Sequence, residues 1–431
     1  MQAPSVQAVA APVRTVPPMT TPVHAQPSSP HAPCTAPLRV AMVGSGFMGR
    51  AHANAFRQVG AFFPDLPPVV RAVVVATSAE KGAAAARTLG FDAWSTNLDE
   101  VLARPDIDAV DVTVPNDRHF PVAMAAIAAG KDVLCEKPLA LTVAQAREMA
   151  AAAQARGVRT LVWHNYRRAP AATTAAQLIA EGRLGEIRHV RGVYLQDWLA
   201  DDACPHLWRM SAGAAGSGAH GDLNAHLIDM TRFMTGLEFA EVSGLQETFI
   251  RERRRADGTL APVEVDDAFL FLARLSNGAL ASFEATRAAP GRKNYNRIEI
   301  NGTKGSVVWN FERMNELEVF FSEDDGRTAG FRNVMCLNNA AHPYAAHWWP
   351  DGHVIGYEHT FTNALADFLI ARAAGQEFRP GFADGVAAQE VLEAAQASAA
   401  SRSWVRVDHS QSFSGSAVRA AEGSRTAHVG L

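Results

Sequence analysis

The chain has 431 residues and a formal net charge of -4, from 40 lysines and arginines against 44 aspartates and glutamates. Hydrophobic residues make up 48% of it. This length and composition predict two globular units rather than one. The lack of a basic stripe excludes an electrostatic footprint for nucleic acid. No apolar run reaches the roughly 18 residues of a membrane span, which predicts a soluble protein with no membrane partner.

Cysteine usage and the two ends of the chain bound the folded region. Four single cysteines without a Cys-x-x-Cys pair are typical of reduced thiols and a cytoplasmic location. Residues 1–37 are rich in Pro, Ala, Thr and Ser with no hydrophobic period, and prolines interrupt any candidate signal peptide. Residues 406–431 are mainly Ser, Gly, Ala and charged residues. Both ends are therefore predicted to be disordered tails.

The folded region opens with a strand, a glycine loop and a helix. The apolar run 38–43 is followed by Gly44-Ser45-Gly46-Phe47-Met48-Gly49 and a helical pattern. In such a loop Gly44 permits a tight turn, Gly46 lets a pyrophosphate approach the backbone, and Gly49 lets the helix pack on the strand. G-x-G-x-x-G alone is a weak signal, but this context predicts a dinucleotide site.

Strands and helices alternate up to residue 163, which predicts a doubly wound parallel sheet in a Rossmann domain over 38–163. The acidic residue that selects NAD normally ends the second strand, but here the chain has Ala76, Thr77 and Ser78. The two hydroxyls and Lys81 could hold the 2′-phosphate of NADP, or Lys81 could be a surface residue. The predicted cofactor is therefore NAD or NADP. The predicted elements are strand 69–75, helix 79–89, strand 109–114, helix 120–129, strand 132–135, helix 143–157 and strand 158–163.

After residue 163 the pattern changes to hairpins. Short glycine-containing turns at 276–278 and 302–305 join alternating strands, which predicts an antiparallel sheet. We therefore expect a second, α+β domain over 164–405 with a large, mostly antiparallel, open-faced sheet. Its predicted elements are helix 171–180 and strands 187–198, 265–275, 279–285, 297–301 and 306–311.

Two places carry candidate catalytic side chains. The run Asp132-Val133-Leu134-Cys135-Glu136-Lys137-Pro138 puts Lys137 at the carboxyl edge of the first sheet, where open α/β sheets bind ligands. A solvated charge pair is the simpler interpretation, but the glycine loop reaches the same edge. In the second domain Asp222, His226 and Asp229 fall at i, i+4 and i+7 on one predicted helix face. A lone histidine there is usually structural, whereas this combination is also typical of sites.

The stretch from His342 to His359 is dense in histidine and aromatic residues. Its spacing matches no zinc pattern, so no metal is expected. Aromatic cover for a sugar ring, or an oligomer contact, is the better interpretation.

Four motifs in this order resemble the Gfo/Idh/MocA family, named after glucose-fructose oxidoreductase and inositol dehydrogenase. They are the glycine loop, Val114-Pro115-Asn116-Asp117-Arg118-His119, Glu136-Lys137-Pro138 and Gly221-Asp222-Leu223-Asn224-Ala225-His226. The resemblance covers about residues 38–405 and implies an NAD(P)-dependent oxidoreductase acting on CH–OH groups. It implies cofactor contacts from Gly44, Ser45, Gly46, Phe47, Met48, Gly49, Thr77, Ser78, Val114, Pro115, Asn116, His119, Glu136, Lys137, Asn165, Trp208 and Arg209.

Four further segments look like the levoglucosan dehydrogenase and glucoside 3-dehydrogenase branch of that family. They are 165–168, 194–198, 284–287 and 342–344. This likeness implies oxidation of the C3 hydroxyl of a pyranose, glucoside or anhydrosugar. The branch usually has an acidic residue in place of Ala76, so its NAD preference does not carry over. Family members commonly pair through the open sheet face, which implies a homodimer or homotetramer. The implied sugar pocket consists of Lys137, Tyr166, Gln196, Trp198, Asp222 and His226.

Oxidation of a secondary alcohol needs a base, a stabiliser for the developing alkoxide and a hydride acceptor. Our hypothesis is that His226 accepts the hydroxyl proton, Asp222 positions the sugar or the imidazole, and Lys137 donates to the same oxygen and can share the proton relay. The choice between His226 and Lys137 as base stays open. Two alternatives remain, a redox-neutral nicotinamide-dependent glycosidase and a non-catalytic sugar and dinucleotide sensor.

Overall fold

The computed structural model describes residues 31–342 and 344–409. Most of both predicted tails, 1–30 and 410–431, lies outside the described residues, as does Pro343. Residues 32–36 pack against a late helix, where Arg372 Nη1 donates to the Ala36 carbonyl at 2.7 Å. At the other end His409 lies 2.8 Å from Glu390. The packed chain therefore extends a few residues beyond the predicted boundaries at 37 and 406.

Six parallel strands form the first sheet in the order β3-β2-β1-β4-β5-β6, the order of a Rossmann fold. Its strands are continuous apolar runs because helices cover both faces. The predicted elements match within about three residues, while β3 and α3 are too short to show a period. In chain order the elements are β1 (Leu38–Val43), α1 (Phe47–Phe62), β2 (Val69–Val75), α2 (Ala79–Leu89), β3 (Ala93–Ser95), α3 (Leu98–Leu102), β4 (Ala109–Val112), α4 (His119–Ala128), β5 (Asp132–Cys135), α5 (Val143–Arg156) and β6 (Thr160–Val162).

Nine strands form the second sheet in the order β16-β15-β14-β13-β7-β12-β11-β8-β17. All its strand pairs are antiparallel except β7 with β12, so the predicted fold class is confirmed. Helices cover one face, and the other face of β8, β11 and β12 exposes leucines. The elements are α6 (Pro170–Ala180), β7 (Ile187–Leu195), α7 (Ala212–Ala215), α8 (Ala225–Thr235), β8 (Phe239–Glu247), β9 (Glu252–Arg254), β10 (Leu260–Pro262), β11 (Ala268–Leu275), β12 (Leu280–Thr286), β13 (Tyr295–Gly302), β14 (Gly305–Asn310), β15 (Glu316–Phe321), β16 (Arg332–Met335), α9 (Tyr357–Ala374), α10 (Phe382–Ser401) and β17 (Val405–Arg406).

Two helices late in the chain join the sheets. Helix α9 packs on α1, and its Phe361 and Phe368 belong to the core of the first sheet. Helix α10 places Phe382 on the other face of that sheet and Val391 in the core of the second. Both helices are buried on several sides, so they lack the single apolar stripe that predicts a helix. Within the described ranges no helix is long and apolar enough to cross a membrane.

Candidate active site

The glycine loop has the geometry that a dinucleotide requires. Gly44 has a φ of 103°, and a Cβ there would lie 2.8 Å from the Thr113 carbonyl oxygen. A Cβ on Gly49 would lie 2.9 Å from the Gly44 oxygen, whereas one on Gly46 would meet nothing within 4 Å. Gly46 is the N-cap of α1 and has no side chain to cap it, so the first helix amides are left for a phosphate. The loop therefore fits the pyrophosphate of a dinucleotide.

The predicted adenosine end of the cofactor site lies at the end of β2. Ser78 caps α2 by accepting a hydrogen bond from the Lys81 amide at 3.3 Å. Thr77 is exposed, and its hydroxyl lies 3.5 Å from Lys81 Nζ. Ala76 brings no charge to this place. The hydroxyls of Thr77 and Ser78 and the amine of Lys81 can thus hydrogen-bond to a ribose or to a ribose phosphate.

Several predicted cofactor residues hold the walls of the cleft together. The ring nitrogens of buried His119 lie 3.0 Å from the Val114 carbonyl and 2.8 Å from the Pro138 carbonyl. Asn116 donates to the Ala215 carbonyl at 3.0 Å. Asn165 is buried and donates to Thr360 at 2.7 Å. Pro115 precedes the short helical turn 116–118. These contacts fix the loops after β4, β5 and β6, and direct contact of these residues with the cofactor stays a prediction.

Glu136 is turned inward. One of its carboxylate oxygens lies 3.0 Å from His52 Nε2, and the other accepts the Lys137 amide at 3.1 Å. His52 Nδ1 lies 3.0 Å from Asp111, which also accepts the Trp163 indole N–H at 2.9 Å. Burial alone would lower the pKa of His52, but the two carboxylates outweigh it and raise that pKa to about 9. Glu136 therefore connects the loop that carries Lys137 to His52 of α1.

Lys137 meets Asp222 across the cleft. The ammonium Nζ lies 2.6 Å from Asp222 Oδ1 and 3.0 Å from its backbone oxygen. Arg287 donates to the other carboxylate oxygen at 2.8 Å. Burial would raise the pKa of Asp222, but Lys137 and Arg287 outweigh burial and hold it well below 3.8. The structure thus brings together two of the predicted catalytic residues, one from the loop after β5 and one from the turn before α8.

The third predicted catalytic residue, His226, lies in the same cleft. It is buried, and its ring stacks on Tyr166 with centroids 4.4 Å apart. Burial, and then the charges of Lys137 and His164, lower its pKa well below 6.5. The imidazole is therefore neutral at neutral pH.

The predicted helix stripe is only partly right. Residues 220–224 form a π-helical turn before α8, so Asp222 and Asp229 do not share one face. Asp229 instead forms a buried ion pair with Arg167, with Oδ2 accepting from Nε at 2.9 Å. Asp229 belongs to the interior, whereas Asp222 and His226 belong to the cleft.

A hydrogen-bonded chain forms the wall of the predicted sugar pocket. The Tyr166 and Tyr194 hydroxyls are 2.8 Å apart, and Tyr194 donates to Asn294 Oδ1 at 2.7 Å. Gln196 donates to the same oxygen at 2.8 Å and accepts the Trp198 indole N–H at 2.9 Å. The structure therefore connects Tyr166, Gln196 and Trp198 through two residues, Tyr194 and Asn294, of which sequence reasoning gave Asn294 no role.

Trp208 and Arg209 approach the cleft from the segment before α7. The Arg209 guanidinium lies over the Trp208 ring at 4.4 Å. Burial lowers the pKa of Arg209, while the nearby charge of Asp222 raises it. Arg209 therefore lies near Asp222 at the edge of the cleft, and contact of Trp208 and Arg209 with the cofactor stays a prediction.

The aromatic stretch before α9 divides between two places. The rings of His347 and Trp348 pack on Phe63 and Phe62 at the end of α1, with centroids 4.2 and 4.1 Å apart. Trp348 is part of the core of the first sheet, whereas His347 is exposed. Tyr357 faces Phe47 of the glycine loop with parallel rings 6.3 Å apart. Among the described residues no group of three histidines, cysteines or acids could hold a metal ion.

Comparisons with known proteins agree with this geometry. Residues 38–164 match the oxidoreductase family with an NAD-binding Rossmann fold, and residues 172–308 match the Gfo/Idh/MocA C-terminal domain. The chain belongs to the Gfo/Idh/MocA family. It is accordingly an NAD-binding oxidoreductase, which confirms the predicted enzyme class and one of the two predicted cofactors.

Individual relatives of this Gfo/Idh/MocA protein span nearly its whole folded region. It is 42% identical to the levoglucosan dehydrogenase of Pseudarthrobacter phenanthrenivorans over 86% of this chain and 98% of the relative. An oxidoreductase domain protein from Kribbella flavida superposes with a TM-score of 0.84 at 48% identity, covering 86% of this chain and all of that one. A structure of levoglucosan dehydrogenase in complex with NADH and levoglucosan superposes with a TM-score of 0.83 at 42% identity, covering 86% and 99%.

Proposed function

We propose that the protein oxidises a secondary hydroxyl, at C3, of a pyranose, glucoside or anhydrosugar by hydride transfer to NAD. The observation that carries the proposal is the 2.6 Å contact between Lys137 Nζ and Asp222 Oδ1. It joins the dinucleotide-binding sheet to the unit that carries Gln196, Trp198 and Asn294. The similarity to levoglucosan dehydrogenase supports a sugar as substrate.

The glycine loop would hold the cofactor, since it leaves room at Gly46 and free amides at the start of α1. When bound, NAD supplies the hydride acceptor. Tyr357 and Phe47 line the same side of the cleft. The amide and indole groups of Gln196 and Trp198 are held by hydrogen bonds, and such a prearranged wall suits the hydroxyls of a rigid ring.

We assign the proton to Lys137 and the orientation of the hydroxyl to His226. A neutral imidazole can accept a hydrogen bond from the hydroxyl, but the lowered pKa of His226 makes it too weak a base to hold the proton. Once Lys137 has released its own proton, it can take the proton of the hydroxyl as the carbonyl forms, because its Nζ lies at the same edge of the cleft. The Asp222 carboxylate pairs with the charged form of Lys137 before Lys137 gives up its proton and again after it has taken the proton of the hydroxyl.

The test is a screen of levoglucosan, glucose, glucosides and inositols with NAD and NADP, followed spectroscopically through reduced nicotinamide. Lys137→Ala and His226→Ala should each lower turnover by about 10²–10⁴-fold, the usual share of acid–base catalysis. Cofactor affinity, measured by quenching of protein fluorescence, should change little.

Lys304→Ala is the matched control, because Lys304 lies exposed in the turn between β13 and β14. Near-normal turnover of Lys137→Ala would refute the proposed mechanism. Release of an aglycone without reduced cofactor would instead identify redox-neutral hydrolysis.

A further inference from the structure

Arg287 follows β12 and lies under the active site with 2% of its surface exposed. Its backbone is fixed on both sides, since its amide donates to the Asp267 carbonyl at 3.1 Å and its carbonyl accepts from Leu199 at 3.0 Å. Its guanidinium stacks on Trp198, with 5.3 Å to the ring centroid. The side chain therefore has little freedom to turn away from the cleft.

The guanidinium makes one hydrogen bond within the described residues, from Nη2 to Asp222 Oδ2 at 2.8 Å. Its Nε and Nη1 are buried without a hydrogen-bond partner there. A buried cation with so few partners must obtain most of its compensation from the nearest carboxylate. For Arg287 that carboxylate is Asp222.

Asp222 is thus shared between two cations, with one oxygen on Lys137 and the other on Arg287. An arginine does not release its proton in proteins, and the lowered pKa of Asp222 keeps this carboxylate ionised. The member of the trio that can exchange a proton is therefore Lys137. An unshared carboxylate 2.6 Å from an ammonium would hold that proton firmly.

We propose that Arg287 is a positioning residue that shares the Asp222 carboxylate with Lys137 and so weakens the attraction between that carboxylate and the Lys137 ammonium. Lys137 can then release its own proton and take the one from the sugar hydroxyl. This inference rests on the proposed function. In the balanced step the secondary alcohol loses a hydride to NAD and a proton to the neutral amine of Lys137. The products are a ketone, NADH and the ammonium, which then passes its proton to water.

Other charged or titratable groups also face Lys137. His226 and His164 lie on the side of the second sheet, and His119 lies beneath the loop. Glu136 is occupied by His52, and the charge of Arg209 acts on Asp222 from the cleft edge. None of these groups hydrogen-bonds to the Arg287 guanidinium in the described structure. Its other contacts there are the stacking on Trp198 and the repulsion from the Arg209 charge, and Arg287→Lys keeps a positive charge at this position.

The test is the pH dependence of kcat/KM for sugar oxidation in Arg287→Gln. Its acidic limb should move to higher pH by about one unit, because Lys137 then meets the whole carboxylate charge. The alkaline limb of ketone reduction should move upward by the same amount, since both limbs report the same lysine. Arg287→Lys keeps the charge, and its limb should stay close to that of the wild type.

Arg292→Gln is the matched control, because it makes the same substitution at an exposed arginine five positions later. Lower turnover of Arg287→Gln with unmoved limbs would overturn the inference, as would an equal shift in Arg287→Lys. If Arg287→Gln does not fold, Asp222→Asn gives the opposite test: its acidic limb should move to lower pH, and an unmoved limb would overturn the inference. Full activity of Lys137→Ala would instead refute the proposed function, so the two failures are distinguishable.

Discussion

Ala76 leaves the ribose end of the cofactor site without a carboxylate. It follows the last residue of β2, and its amide donates to the Ser95 carbonyl at 3.0 Å, so its position is fixed by the sheet. Thr77, Ser78 and Lys81 surround the same corner. An acidic residue would repel a 2′-phosphate and hydrogen-bond to a 2′-hydroxyl, whereas the hydroxyls and the amine at this corner can hydrogen-bond to either group.

We therefore expect the wild type to accept NADP as well as NAD, and Ala76→Asp to discriminate against NADP. The ratio of the KM values for NADP and NAD should rise at least about tenfold, because like charges brought together cost several kcal/mol. Steady-state kinetics with both cofactors gives this ratio. Ala76→Ser, which adds no charge, should leave it nearly unchanged, and an unchanged ratio in Ala76→Asp would place the ribose elsewhere.

Single residues show how far the site could be predicted. Lys137, Asp222 and His226 stand in motifs, and the structure brings them into one cleft. Arg287 entered only through a family likeness, and Asn294 carries no local pattern. Their importance arises from contacts with residues distant in sequence, which no spacing along the chain can reveal.

At the scale of elements, a buried polar network ties α1 to three strands of the first sheet. His52 of α1 lies between Asp111 of β4 and Glu136 after β5, and the Trp163 indole after β6 donates to the same aspartate. The His52 side chain has no solvent exposure. Because α1 also begins at the glycine loop, this network sets the distance between the backbone amides at the start of α1 and the loop that carries Lys137.

The network makes stability depend on pH in a defined direction. The folded-state pKa of His52, about 9, lies above its ordinary value of 6.5. Its stabilisation is therefore fully present below pH 6.5 and is lost as the pH rises through 9, by at most about 3 kcal/mol. In urea unfolding, the difference in free energy between wild type and His52→Gln should shrink between pH 6.5 and pH 10. His353→Gln, at an exposed site, should show no such trend, and a constant difference for His52→Gln would mean that His52 is neutral.

At the scale of the whole molecule, the outer face of the second sheet carries a cluster of exposed leucines. Leu245 of β8 is paired with Leu270 of β11, and Leu272 and Leu280 lie on the same side. These four side chains are 43 to 69% exposed. Exposed apolar patches are typical of contact surfaces, so we expect this one to form the contact of the homodimer or homotetramer that the resemblance implies.

We expect the double substitution Leu270→Glu and Leu272→Glu to convert an oligomer into monomers, because charges on this face would be buried unpaired in the contact. Light scattering after size-exclusion chromatography measures the mass. Leu260→Glu is the control, since Leu260 is 55% exposed but lies on the separate β9–β10 hairpin. An oligomer of unchanged mass in the double variant would place the contact on another surface.

The fold was predictable where each element carried its own signal. The strands of the first sheet other than β3 are short apolar runs between helices, so a doubly wound parallel sheet was predicted, whereas the strand order β3-β2-β1-β4-β5-β6 was not. In the second unit β13 and β14 were predictable because a glycine turn joins them, whereas β15 and β16 were missed. Helices α9 and α10 were missed because they are buried on several sides, which is a property of the assembled molecule rather than of the local sequence.

The position of α9 has a consequence for how the molecule is made. The apolar side of α1 and of the first sheet is closed by Phe361, Leu365 and Phe368, which leave the ribosome long after the last strand of that sheet. Until then the nascent dinucleotide-binding unit has an open hydrophobic face that only the end of the chain can cover. The two units therefore complete their folding together, and a chain terminated before α9 would remain a target for chaperones and proteases.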